Sequence, residues 1–125
     1  MILDTCALIW LATGSERLSA ATRQRIQDAP VVRVSAISAF EVGHKYATGG
    51  LRLPCDAERW YRQVLEHHQL SETPIDGSVA LLASRLPRIH KDPCDRLVIA
   101  TAKLFGLTVV TADVRFVEYG VQVLC

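Results

Sequence analysis

The chain has 125 residues, half of them apolar, with 14 basic and 13 acidic side chains for a net charge of +1. That is enough chain and enough apolar side chain for one domain with a real core, and it excludes a disordered polymer or a basic nucleic-acid-binding tail. No apolar run approaches the roughly 20 residues of a membrane span. The four cysteines, Cys6, Cys55, Cys94 and Cys125, form no CxxC pair and no zinc-finger spacing. With no leader sequence in view, they are expected as free thiols of a cytoplasmic protein.

Met1 to Leu3 reads as a short strand that stops at Asp4, and Thr5 to Leu11 as a short apolar helix broken by Gly14 and Ser15. Helical spacing runs from Leu18 to Asp28, with Ser19 or Ser15 as candidate caps and Pro30 as terminator. Val31 to Ser35 is a second strand, and Ser38 to Thr48 a helix closed by Gly49 and Gly50. After a loop, Ala57 to Gln69 is an amphipathic helix, Thr73 to Ile75 a brief strand, and Gly77 to Leu86 a helix ended by Pro87. Pro93 opens the next helix, since a proline in the first turn forfeits no hydrogen bond. Leu97 to Phe105 is almost wholly apolar, Gly106 stops it, and Leu107 to Val110 is a buried strand leading to Thr111 and Asp113. Val121 to Leu124 makes the last strand. Strands and helices alternate throughout, so right-handed crossovers predict a three-layer α/β/α sandwich around a parallel sheet of about five strands, a single domain over residues 1–125.

Four acids fall at the carboxyl edge of such a sheet, where open α/β folds bind ligands. Each has an ordinary local explanation. Asp4 can cap the first helix, Ser38 and Glu41 can form a capping box, Asp92 and Asp95 can serve the dipole of the Pro93 helix, and Asp113 can form a turn. Together, however, Asp4, Glu41, Asp95 and Asp113 would meet within a few ångströms. Carboxylates at that range repel and hold protons unless a cation lies among them. An oxygen-only ligand set with no cysteine or histidine at zinc-like spacing suits Mg²⁺ or Mn²⁺. A hydrated ion in an open cleft points to phosphodiester hydrolysis.

The segments ILDTCALIW, SAISAFEVGHKYATGGLRLP and HKDPCDRLVIATAKLFGLTVVTAD, in this order over nearly the whole length, resemble the PIN-domain family. More narrowly, they resemble the VapC-type ribonuclease toxins of toxin–antitoxin pairs. The resemblance implies a PIN-like fold, a Mg²⁺- or Mn²⁺-dependent endoribonuclease, a cognate antitoxin partner and a homodimer. It places Asp4, Glu41, Asp95 and Asp113 as the catalytic acids, with Asp4, Asp95 and Asp113 on the ion. Glu41 would complete that shell or orient water, with one ion or two. Thr5 and Thr111 match supporting hydroxyls, Asp92 is expected as the helix cap, and Cys6 and Cys94 depart from common family residues.

Arg96 is expected either to screen the acids or contact phosphate, or to pack. His90 is expected at the rim of the site, and His44, one turn after Glu41, is weighed as a general acid. Lys45, Arg52, Arg85, Arg88, Lys91 and Lys103 are candidates for a phosphate-attracting rim, while Trp10, Trp60 and Tyr61 are expected in the core or an interface. A HAD-like phosphatase and a receiver domain fit less well. The first lacks its second aspartate after Asp4, and the second would need a lysine where Asp113 stands. A catalytically silent PIN-like module that binds RNA or protein is the alternative from another class.

Overall fold

In the computed structural model, which describes residues 1–125, five short strands form one parallel sheet in the order β3-β2-β1-β4-β5. They are β1 (Ile2–Leu3), β2 (Val32–Ser35), β3 (Leu70–Thr73), β4 (Val109–Val110) and β5 (Val123–Leu124). Six α-helices connect and cover them: α1 (Thr5–Thr13), α2 (Ala20–Asp28), α3 (Ala36–Ala47), α4 (Ala57–His67), α5 (Gly77–Arg85) and α6 (Pro93–Phe105). A 3₁₀ turn spans Val114–Tyr119. No helix is long and apolar enough to cross a membrane.

Strand side chains alternate faces, and the core divides accordingly. Leu3, Val32, Val34 and Val110 face a cluster built with Leu8, Leu11, Ile26, Val42, Trp60 and Val64 from α1 to α4. Ile2 and Val109 face the opposite cluster, built with Val79, Ala83, Val98, Ile99 and Phe116 from α5, α6 and the 3₁₀ turn. The result is the α/β/α sandwich expected from the alternation of elements.

Chain order explains where a cleft must form. From β1 the chain moves outward to β2 and β3, then returns to the other side of β1 for β4 and β5. Connections therefore leave the carboxyl ends of β1 and β4 in opposite directions, which opens a crevice between them. Asp4 immediately follows β1, and Thr111 to Asp113 follow β4.

Some local expectations are corrected. The third strand is Leu70–Thr73 rather than Thr73–Ile75. It is an edge strand, paired only with β2, and its exposed Ser71 and Glu72 hide the apolar pattern. Helix α3 begins at Ala36, two residues before Ser38, because the Ser35 hydroxyl accepts from Ile37 N. No Ser38–Glu41 capping box forms, since Ser38 lies fully buried inside the helix. The last strand is confined to Val123–Leu124 rather than Val121–Leu124, and a 3₁₀ turn follows Asp113. Trp60 and Tyr61 are buried in the core, as expected of them.

Candidate active site

Each of the four acids is held by local structure before any ligand is considered. Asp4 caps α1: its Oδ1 accepts from Ala7 N at 2.7 Å, and only 6% of the residue is exposed. Its own N–H donates to Val110 O at 3.1 Å, tying the β1 end to β4. Glu41 projects from the second turn of α3 and accepts from the Thr5 hydroxyl. That hydroxyl has one proton, so the buried Ser38 hydroxyl, 2.9 Å away, donates to Thr5 in turn. Ser38, read as a cap, is instead the start of a relay that orients Glu41. Asp95 lies in the first turn of α6, after Pro93, while Asp92 caps that helix by accepting from Cys94 N at 2.8 Å.

Asp113 is the most heavily bonded. Its Oδ1 accepts from Arg115 N and Arg115 Nε, both at 3.0 Å. Its Oδ2 accepts from Arg115 Nη2 at 2.7 Å and lies 2.9 Å from His90 Nε2. Thr111 buries its hydroxyl below, accepting from Asp113 N at 3.0 Å.

All four acids line one cleft of about 260 Å³, together with Asp92, Thr5, Cys6, Trp10, Lys45 and Ala112. A second cleft of about 390 Å³ is lined by Ser84, Arg88, His90, Lys91, Pro93 and Arg96. The larger of the two carries Arg88, Lys91 and Arg96, and the smaller carries the acids with Lys45.

Burial, opposed by hydrogen bonds from the Thr111 hydroxyl and Ala7 N–H, raises the Asp4 carboxyl, and the charges of Glu41 and Asp113 raise it further. Burial, then the charge of Asp92, pushes Asp95 up to about 6, against the pull of His90. Asp113 moves the other way, because the Arg115 hydrogen bonds hold it well below the usual carboxylate range. Burial raises the Cys6 thiol, and burial with the nearby carboxylates pushes Cys94 up to about 11, which makes both poor nucleophiles. The cluster thus holds carboxyls that resist ionisation unless countercharge arrives. Hard oxygen donors with that deficit fit a small divalent cation.

Residues given weaker roles are also placed. The Arg96 guanidinium donates to the carbonyls of Ala83, Leu86, Pro87 and His90 at 2.7 to 3.3 Å. Of its expected roles the structure shows packing: the charge is spent on the end of α5 and the following loop, not on phosphate. His44 is exposed and stacks on Phe40. His90 is not a rim residue; it is 4% exposed, and its Nε2 lies 2.9 Å from Asp95 Oδ2 as well as from Asp113 Oδ2. Its only sequence signal was position, three residues before the proline helix that carries Asp95. Arg115 had no signal beyond its closeness to Asp113.

The family model of the PIN domain matches residues 1–122 of this chain. The chain belongs to the PIN-domain family. Among relatives of this PIN domain, Ribonuclease VapC22 of Mycobacterium tuberculosis (strain ATCC 25618 / H37Rv) is 35% identical over 116 residues, covering 92% of this chain and 88% of the relative. Solved structures share the fold. VapBC2 from Rickettsia felis, bound to a DNA fragment from its promoter, superposes with a TM-score of 0.73 at 12% identity, covering 98% of this chain and 96% of that one. FitAcB from Neisseria gonorrhoeae gives a TM-score of 0.67 at 25% identity, covering 99% and 96%.

Proposed function

We propose that this PIN domain is a metal-dependent endoribonuclease, the toxin of a toxin–antitoxin pair, that hydrolyses RNA phosphodiester bonds with Mg²⁺ or Mn²⁺. The observation that carries the reading is the meeting of Asp4, Glu41, Asp95 and Asp113, separated by up to 109 positions in sequence, in one cleft at the sheet's switch point. The relative named as a ribonuclease supports RNA as substrate. Related complexes named as VapBC and FitAB support an antitoxin partner.

Asp4 and Asp95 offer oxygens that the surrounding protein leaves partly free, and they would hold the ion directly. The four acceptor positions of Asp113 are taken by Arg115 and His90, so it contributes charge from the next layer or through water. A divalent ion in that cradle supplies Lewis-acid stabilisation of phosphoryl charge and activation of water. Glu41, steadied on one oxygen by Thr5, keeps the other free to orient a water or accept its proton. Lys45 in the cleft wall, and Arg88 and Lys91 in the neighbouring basic cleft, would attract the RNA backbone. We further infer a homodimer in the cytoplasm, with residues 1–125 folding as one domain.

The test is cleavage of RNA by the purified chain with Mg²⁺ or Mn²⁺, repeated with EDTA and with Asp4→Asn and Asp95→Asn. Cleavage should need the metal and fall by at least about 100-fold in either variant, the scale set by losing electrostatic stabilisation of the transition state. Variants that cleave like the parent would leave only a binding module.

A further inference from the structure

His90 is the one buried imidazole beside the acids, and its donor atom lies within 4.8 Å of one oxygen each from Asp95 and Asp113, as a metal triad would require. A second set of contacts decides against that role. The Nδ1 atom of His90 accepts the backbone N–H of Asp92 at 3.2 Å. An imidazole that accepts at Nδ1 carries its proton on Nε2. Ligation through Nε2 would transfer the proton to Nδ1 and set N–H against N–H at that distance.

Nε2–H therefore points at two carboxylate oxygens, each 2.9 Å away. Building on the nuclease reading, we propose that His90 is a positioning residue, not a metal ligand: its Nε2–H ties Asp95 to Asp113 and so fixes the Asp95 carboxylate for cation capture.

The surroundings hold the ring in this orientation from several sides. His90 N donates to the Tyr119 hydroxyl at 2.7 Å, and that hydroxyl donates to Pro87 O at 2.8 Å. The ring meets Phe116 edge-on, with centroids 6.0 Å apart. His90 O accepts from Arg96. On the far side, Asp113 is anchored by three hydrogen bonds from Arg115. Asp95 is thus joined through one proton to a carboxylate that cannot move freely. Partners of this kind set the orientation of ligands, and their loss commonly costs 10- to 100-fold in metal affinity.

The experiment measures Mn²⁺ binding to the full chain without RNA, by electron paramagnetic resonance of the free ion. It compares the parent with His90→Ala and His90→Gln, whose folding is checked by circular dichroism. Alongside, ¹⁵N spectra of the parent imidazole are recorded with and without Mg²⁺. His90→Ala should weaken Mn²⁺ binding at least about 10-fold. His90→Gln, whose amide nitrogen reaches the Nε2 position, should recover most of the loss. The parent ring should keep its proton on Nε2 when Mg²⁺ is added. If His90→Ala does not fold, the ¹⁵N spectra decide alone. A bare Nε2 in the Mg²⁺ form, an Ala variant that binds like the parent, or a Gln variant as weak as Ala would each overturn the proposal. A parent that binds no Mn²⁺ would instead overturn the nuclease reading on which it rests.

Discussion

His90 donates to two carboxylates whose affinities for protons move in opposite directions. Asp113 is pulled below the ordinary range by Arg115, whereas Asp95, with no cationic arginine of its own, is pushed by burial up to about 6. The folded chain therefore binds a proton at Asp95 in a window where the unfolded chain has released it, between about 4 and about 6. In metal-free buffer this group makes stability fall as pH rises through that window. Asp113 does the reverse lower down: its stabilisation is complete above the ordinary carboxylate range and is lost as pH falls through and below it. Thermal melts in EDTA should show Asp95→Asn losing less stability than the parent between pH 4.5 and pH 7. The same proton competes with metal. Mn²⁺ affinity should rise about 10-fold per pH unit below about 6 and flatten above it, since a ligand must be deprotonated to bind. A flat profile from pH 5 to pH 7 would show that Asp95 does not titrate there.

At the scale of the element, α6 shows what sequence could and could not give. Its bounds are legible because Pro93 opens it and Gly106, at φ 64°, closes it in a conformation that favours glycine. Asp92 caps it as the local pattern suggests, so Asp92→Ala should cost about 1 kcal/mol in urea unfolding. Arg96 is different, because nothing in its neighbourhood in sequence shows that it reaches back to four carbonyls around the end of α5. Its removal leaves several partly buried acceptors without a donor. Arg96→Ala should cost about 2 to 4 kcal/mol in urea unfolding, and Arg96→Lys should restore only part, because an ammonium lacks the planar fork. The edge strand β3 was misplaced for a related reason. Its residues are strand by virtue of pairing with β2, which their polar side chains do not announce.

For the molecule as a whole, the sandwich and the meeting of the four acids were legible because both follow from the alternation of strands and helices. The parallel order sends the ends of β1, β2 and β4 to one edge regardless of detail. What holds the acids in place was not legible: the Ser38–Thr5–Glu41 relay spans up to 36 positions, and the Arg115–Asp113–His90–Asp95 chain depends on how the loop after α5 packs. A fold that gathers carboxyls into one cleft stores their repulsion until a cation arrives, and a cation that binds only the folded form raises its stability. At a Mg²⁺ concentration 100 times its dissociation constant, that gain is about 2.7 kcal/mol. For a chain of this size it should raise the melting temperature on the order of 10 °C. EDTA should reverse the shift, and Asp4→Asn with Asp95→Asn should abolish it. Differential scanning calorimetry makes the comparison without any RNA. An unchanged melting temperature of the parent at saturating Mg²⁺ would mean that the folded cluster binds no such ion.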